Sequence, residues 1–444
     1  MADSAMGMAD VVGCTTATAT HLAGARVVAA SWRRFHPGAP FRILLADADP
    51  VDRPVDDPSI LVPEDLSLDH AEIRTRRAIY GPFEFATSLK ADLLRFLLRE
   101  GARAVVFTDS DTDLYAPLDD LANLAADVGT CLTPHVRGPL PVDRMGPDDW
   151  TLWSVGVYNT GLVAVGPSAV PFLDWWADQL RRDCLEAWED GFWVEQRWAD
   201  LAPTYFAARI VADPALNVAY WNLHERQIEA VDAGFEVNGE PLRHFHFSGF
   251  DPDQLPALCG QLKENLFAPP AHLPLRNTLA DQAALQELVN GYARRLLEAG
   301  HRSYRSGAYA YAAATTGRRL TRWDRLLVRE ATLAHEAGAA PAPPDPFDAR
   351  QQRQFAQFMS TPISSLPLSR PAQTRLRRAH VAIADRRAVG RRELLDAAAR
   401  RLAGRWLSIE EHELVTASAR VLAEYGCDSL TSAGPHSKLG AAAY

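Results

Sequence analysis

Over the first 250 residues, short apolar β-favouring runs alternate with stretches whose apolar positions recur at helical spacing, the pattern of an α/β domain. Val11-Val12-Gly13-Cys14 predicts a first strand that runs into a polar loop, Thr15 to Thr20. A helix from His21 to Phe35 is expected to stop at His36-Pro37-Gly38, and Phe41 to Leu45 reads as a second strand. Leu89, Leu93, Leu94, Leu97 and Leu98 stripe one face of a helix, with Ser88 as its N-cap and Gly101 as its C′ residue. Ala104-Val105-Val106-Phe107 is continuously apolar, as a buried parallel strand is. Val128 to Leu132 and Leu162 to Val165 predict further strands. Pro134 to Trp150, rich in Pro, Gly and Asp, reads as a surface loop beside the strand ends.

Beyond Pro270 the period becomes helical throughout, in Gln282 to Ala299, Trp323 to Ala337, Ala372 to Arg387 and Arg391 to Leu407, with a Pro/Ala linker from Ala339 to Pro346. Three segments are expected: an α/β domain over 1–270, a helical extension packed on it over 271–346, and an arginine-rich helical tail over 347–444. The 444 residues are 47% apolar and 23% charged, which excludes wholesale disorder. Residues 271–444 carry 25 basic against 16 acidic groups, so residues 1–270 carry 21 against 40. So acidic a body does not bind nucleic acid through a general phosphate field. The dense arginines of Arg375 to Arg405 read as a solvated helix face, with homo-oligomerisation through the tail kept open. No apolar run approaches the roughly 20 residues of a membrane span, and Met1 to Gly13 lacks the pattern of a secretory signal. Five scattered cysteines without a C-x-x-C pair predict reduced thiols in a cytoplasm and neither a disulfide scaffold nor a zinc ribbon.

The sharpest chemical signal is Thr108-Asp109-Ser110-Asp111 at the end of the buried strand, the edge where open sheets bind ligands. Two carboxylates there are costly unless paired, and a divalent cation bridging to a diphosphate pairs them. Spacing alone is weak, since Asp47-Ala48-Asp49 shares it. An EF-hand beginning at Asp109 fails, because its sixth and twelfth positions are Leu114 and Asp120 in place of Gly and Glu. A haloacid-dehalogenase-like phosphatase wants Thr or Val where Asp113 stands. The run Asp109-Ser110-Asp111-Thr112-Asp113-Leu114-Tyr115-Ala116-Pro117-Leu118 is similar to the metal-binding Asp-x-Asp of nucleotide-sugar glycosyltransferases, although Asp113 occupies a usually apolar position.

From Val11 to Phe250 an ordered series of motifs resembles the GT-A-fold glycosyltransferases, in particular the retaining family of glycogenin and bacterial lipopolysaccharide galactosyltransferases. Thr15-Thr16 resembles the loop that cradles the nucleotide base, with His21 where the family often stacks a tyrosine. Ser88-Leu89-Lys90 resembles the segment carrying the basic residue near the donor. Asn159-Thr160-Gly161 resembles the Asn-Ser-Gly turn beside the donor sugar, and Glu195-Gln196 the Asp-Gln pair. His246-Phe247-Ser248-Gly249 resembles the His-Phe-x-Gly whose histidine completes the metal site, 135 positions after Asp111. Where related enzymes often place a diphosphate-neutralising lysine after this glycine, Phe250-Asp251-Pro252-Asp253 has none, which leaves that load to Lys90 or an arginine. Trp175-Trp176 and Tyr220-Trp221 read as core or interface, and Glu195, taken alone, as an exposed residue on an aromatic-rich helix.

The resemblance implies a GT-A (Rossmann-like) mixed α/β sheet flanked by helices, with an α-helical C-terminal extension. It implies transfer of a sugar from a nucleotide diphosphate donor, UDP-sugar first, to an unidentified natural product, glycan or protein, with retention. Asp109, Asp111 and His246 would hold Mn²⁺, or Mg²⁺, and two carboxylates with an imidazole suit Mn²⁺ better. Donor contacts would come from Thr15, Thr16, His21, Lys90, Asp109, Ser110, Asn159, Gly161 and Gly249, and the catalytic pair would be Glu195 and Gln196. An inverting route would need Asp148, Asp149 or Glu195 as general base. The alternatives are a phosphatase using Asp109 as nucleophile and a non-catalytic nucleotide-sugar-binding protein.

Overall fold

Val11–Ala17 (β1), Phe41–Leu45 (β2), Ile60–Leu61 (β3), Ala104–Thr108 (β4), Thr112–Leu114 (β5), Thr130–Pro134 (β6), Tyr158–Val165 (β7), Arg209–Ile210 (β8) and His244–His246 (β9) are the strands that frame the site. The computed structural model describes residues 11–48, 57–143, 145–187, 190–254 and 282–361, with residues 366, 368 and 376. All but β5 and β9 form one mixed sheet in the order β8-β6-β7-β4-β1-β2-β3. β1 is parallel to β2 and β4, whereas β7 runs antiparallel to both β4 and β6. The reversal at β7 carries the end of β4, the end of β6 and the start of β7 to one edge. β5 and β9 pair antiparallel just beyond that edge.

β1 is longer than its apolar run. Thr15 and Thr16 pair with Ile43 and Leu44 inside the sheet, so the expected loop shrinks to the turn Ala19–His21. The cause is the full length of β2, whose backbone groups need partners. Helix α1 (Leu22–Phe35) follows, burying Trp32 at 0% exposure against β2. The leucine stripe forms a helix over Lys90–Arg99, but Ser88 is not its cap. A separate helix, Pro82–Ser88, starts at Pro82 and leaves the Ser88 hydroxyl bonded back to Phe85 O. Gly101 is left-handed after this helix, as expected of a C′ residue. Val128 ends the helix Asp119–Val128 and does not begin a strand, so β6 starts two residues later. Asn159-Thr160-Gly161 lies within β7 and is no terminal turn; the β6–β7 register slips between Leu132 and Thr133 opposite it. That bulge leaves room for side chains at the sheet edge.

The chain divides into two compact units, residues 1–312 and 313–444. The helix Ala283–Glu298 falls in the first, where Leu285, Leu288, Tyr292 and Leu296 share a core with Val218, Val237, Phe245 and Phe247. The second unit contains the helix Arg322–Glu336, whose N-terminus is capped reciprocally by Thr321 and Asp324, and a shorter helix, Gln352–Ser360. The tail helices expected at Ala372 to Arg387 and Arg391 to Leu407 lie outside the described residues, apart from Leu376. Cys14, Cys131 and Cys184 are buried free thiols. Among the described residues no helix is long and apolar enough to cross a membrane.

Candidate functional site

After β4 the chain reverses in a tight turn in which Thr112 Oγ1 donates to Asp109 O at 2.7 Å and Asp109 N donates to Gly161 O at 3.0 Å. Gly24 of α1 permits this turn to pack close, because a Cβ there would stand 2.3 Å from Ser110 O. β9 then lays His246 opposite Thr112, and Phe247 N donates to Asp111 O at 2.8 Å. The pairing brings His246 Nε2 to 3.1 Å from Asp111 Oδ1 and 3.9 Å from Asp109 Oδ2. One donor atom from each of the three residues lies within 4.8 Å of the others, a mixed oxygen and nitrogen set suited to a divalent transition metal. Gly161 faces the imidazole so closely that a Cβ would sit 2.5 Å from His246 Cε1.

The orientation of that imidazole follows from its neighbours. Asn217 Nδ2 donates to Thr133 Oγ1 and to Asn159 Oδ1, both at 2.9 Å, which turns Asn217 Oδ1 toward His246 Nδ1 at 3.3 Å. His246 Nδ1–H is therefore the donor there, and the Nε2 lone pair faces the Asp111 carboxylate. Two lone pairs at 3.1 Å repel unless a proton or a cation joins them. Burial disfavours the charged imidazole, but Asp111 outweighs it and raises the His246 pKa. Burial likewise opposes the charged form of Asp111, yet His246 holds its pKa down. At Asp109 burial wins over Lys90 and His246, and the carboxyl is raised.

Lys90 is fully buried. Its Nζ donates to Glu195 Oε1 at 2.6 Å, Thr160 O at 3.0 Å and Asp109 Oδ1 at 3.2 Å. Burial opposes its charge, but Asp109 and Glu195 together raise its pKa. All three of its donors are thus spent, and the diphosphate-neutralising load placed on Lys90 or an arginine has no free donor left in Lys90. Glu195 is 3% exposed, which corrects the reading of it as a surface residue. It also accepts from Thr160 Oγ1 at 2.7 Å, while its Oε2 has no hydrogen-bond partner. The Gln196 amide is satisfied on both sides: Oε1 accepts from Asn159 Nδ2 at 3.1 Å, and Nε2 donates to Val155 O at 2.7 Å.

His135 and Asn217, which the sequence reading passed over, complete this inner ring with Thr160 and Trp221. His135 accepts at Nε2 from Asn159 Nδ2 at 3.3 Å, and burial pushes its pKa down to about 3, so it is neutral. Asn217, Thr160 and Trp221 are each 3% exposed or less, and the Trp221 ring lies edge-on to both His246 and His135. Thr160 stood in the sequence as the middle of Asn159-Thr160-Gly161, and Trp221 in Tyr220-Trp221, read as core or interface, as its burial bears out. Toward the β1 end the ring is looser. His21 Nδ1 lies 3.0 Å from Thr18 Oγ1, and burial lowers its pKa against the pull of Asp111. Thr15 and Thr16 are buried in β1, Ser110 is half-buried beside the aspartates, and Gly249 is exposed in the left-handed region at φ 69°. Asp251, Asp253 and His301 also cluster, but Arg305 and Arg302 pair with the two aspartates. Asp148 caps the short helix Asp149–Val155 by accepting from Thr151 N at 2.9 Å.

No known protein-family profile matches the sequence. Two proteins of Bacillus subtilis (strain 168), both described as uncharacterised, are similar to it. YfnD is 29% identical over 177 residues, covering 38% of this chain and 54% of its own. YfnF is 22% identical over 175 residues, covering 38% and 57%. The chain thus spans about half the length of the curated relatives it matches. Among solved structures it is similar to mouse xyloside xylosyltransferase 1, at 11% identity over 54% of this chain and 98% of that one, with a TM-score of 0.35. It is also similar to the galactosyltransferase LgtC bound to donor and acceptor sugar analogues, at 15% identity over 67% and 97%, with a TM-score of 0.34.

Proposed function

We propose that this chain is a metal-dependent glycosyltransferase that moves a sugar from a nucleotide diphosphate donor, UDP-sugar first, to an acceptor hydroxyl with retention. The observation that carries the reading is the convergence of His246 Nε2 and Asp111 Oδ1 at 3.1 Å, with Asp109 beside them at the sheet edge where β4 ends. These atoms would hold a divalent cation in place of the proton that otherwise joins His246 to Asp111. Asp111 and His246 would be its principal ligands, Asp109 a third, and the mixed donor set favours Mn²⁺ over Mg²⁺. When bound, it supplies Lewis-acid stabilisation of the leaving nucleotide diphosphate.

The side chains divide the remaining work. Asn217 holds His246 in the tautomer that offers Nε2. Glu195, with Oε2 unpartnered in a buried site, offers a negative charge to the oxocarbenium ion that develops on the donor sugar. Lys90 anchors Glu195, donating to its Oε1 at 2.6 Å and leaving Oε2 free to face the sugar. Gln196, its amide satisfied on both sides, positions Asn159 and does not itself meet the sugar. The phosphatase alternative gains nothing here: Asp113, at the position where it needs Thr or Val, is tied to Arg295.

A thermal-shift panel of nucleotide diphosphates and their sugars, with and without Mn²⁺, tests the reading. Donor and Mn²⁺ together are expected to raise the melting temperature more than either alone, as ligands of the native state do. A panel in which no nucleotide diphosphate shifts the midpoint rejects the proposal. Binding without turnover toward any acceptor or water would favour the non-catalytic alternative, and NMR assignment of the product anomer separates retention from inversion.

A further inference from the structure

Beside β5 lies a cavity of about 560 Å³, within the size range of small-molecule sites. Its walls are α1, β5, the hairpin formed by Ile228–Val231 and Gly234–Val237, and the helix Ala283–Glu298. Asp113, the residue that departs from the apolar pattern of the motif, forms its floor at 2% exposure. Arg295 pairs with Asp113 through Nη2 and reaches Tyr115 Oη at 3.0 Å, but its buried Nε has no acceptor. Arg26 and Arg34 line the α1 wall, and among the described residues neither has a carboxylate within ion-pair distance. Tyr115, Phe235 and Leu242 give the cavity an apolar face, while Glu236 and Glu298 on other walls repel an anion placed there.

We propose that this cavity binds an organic anion with an apolar body, its charge held by Arg34 and Arg295 and its body by Tyr115, Phe235 and Leu242, and that occupancy is felt at Asp111. Both side-chain hydrogen bonds of Arg295 use Nη2, and its guanidinium already fixes Asp113, two residues along the chain from Asp111. An anion drawn to Arg295 competes with Asp113 for the same charge and shifts β5. β5 in turn is hydrogen-bonded to β9, which carries His246. By linkage, the anion then alters metal affinity and the metal alters anion affinity by the same factor. The coupling rests on the metal reading above; the binding itself does not.

The probe is 8-anilino-1-naphthalenesulfonate, an aromatic sulfonate, titrated by fluorescence into the full chain. One saturable site is expected. Ala30→Trp, which fills the cavity from an exposed position on α1, and Arg34→Glu should each weaken it tenfold or more without lowering the melting midpoint. Affinity within twofold of the parent in both variants overturns the site. Mn²⁺ affinity, read by electron paramagnetic resonance, should change threefold or more when the probe saturates. An unchanged value overturns the coupling. A parent chain that binds no Mn²⁺ defeats the metal reading and the coupling together, while the fluorescence titration still decides the cavity.

Discussion

Two buried charge networks lie close together in this chain and differ in one respect. In the first, Arg76 donates through Nε to Glu72 at 2.8 Å and through Nη1 to Asp92 at 2.7 Å and Ser88 O at 3.0 Å. Asp92 is shared with Arg95, and Glu72 with Arg181 and Arg182, so cations and carboxylates meet one for one or better. In the second, Asp109, Asp111 and Glu195 face one lysine and one imidazole, and Glu195 Oε2 is left without a partner. Both sit among helices and strands of the same unit, and both are costly to desolvate. A closed network fastens elements together. An open network of this kind stores unmet negative charge at a sheet edge, which is what a cation-assisted site needs.

The sharpest way to break the comparison is to remove one charge from each. Asp111→Asn keeps shape and removes the ligand charge, so turnover is expected to fall roughly 10³-fold or more, the scale of losing a main source of charge stabilisation. Its melting midpoint should fall only modestly, because the lost pairing with His246 is partly offset by relief of the repulsion with Asp109. Arg76→Met should do the reverse. It strands Glu72 and Asp92 and is expected to cost about 3–5 kcal/mol of stability, read by urea denaturation, while the surviving folded fraction retains its affinity for Mn²⁺. Equal stability losses in the two variants would erase the distinction between the networks.

Acid sharpens it next. Burial alone would raise the Glu72 carboxyl, but Arg182 and Arg76 outweigh it and hold its pKa down to about 2, from an ordinary value of 4.5. A depressed carboxylate stabilises the fold fully above its unfolded pKa and loses that contribution as pH falls through the folded one. Glu72→Gln is therefore expected to be less stable than the parent at pH 7 by about 3 kcal/mol, at 1.36 kcal/mol per pKa unit. The gap should narrow steadily below pH 4.5, toward closure near pH 2. Melting temperatures of both proteins across that range make the check, and a gap that stays constant refutes it.

A smaller effect is expected from a single methyl group. Gly161→Ala puts a Cβ 2.5 Å from His246 Cε1 and 2.7 Å from Asn159 Oδ1, so the imidazole must swing from Asp111. Metal affinity should drop about 10–100-fold, the usual cost of disturbing a ligand's supporting contacts. Mn²⁺ titration reads it directly; an unaltered affinity would mean that His246 holds no metal.

The meeting of Asp109, Asp111 and His246 was legible in the sequence because the residues come as local strings: Thr108 to Asp111 ends an apolar strand, and His246 to Gly249 is a compact motif that resembled a known partner of it. Strand and helix positions were legible for the same reason, wherever an apolar run coincided with an element. Ser88 misled because Pro82 starts a helix of its own and places that hydroxyl at its last turn, not before the next one. Thr15 and Thr16 misled because polar residues continue a strand when the strand beside them supplies hydrogen bonds. His135 and Asn217 left no trace, since each acts through partners at least 24 residues away. The burial of Glu195 was hidden likewise: its cation, Lys90, is 105 residues distant.

The smallest expected effect concerns the division of the chain. Every residue assigned a role in the open network lies within residues 1–312, and the core under β9 is closed by the helix Ala283–Glu298 of the same unit. A chain ending near Pro346 should therefore bind nucleotide and Mn²⁺ within about twofold of the full protein, as should one ending at Ala312. A cut at Pro270 is the informative contrast, because it removes Leu285, Leu288, Tyr292 and Leu296 from that core. Loss of four large buried apolar side chains costs about 1.5–3 kcal/mol each by area alone, together comparable to the whole stability of an ordinary domain. Calorimetric titration of the three truncated chains, each first checked for a cooperative melt, decides the matter. Should the chain ending at Ala312 melt cooperatively and yet lose nucleotide affinity, donor binding draws on residues beyond it, and the open network described here is only part of the site.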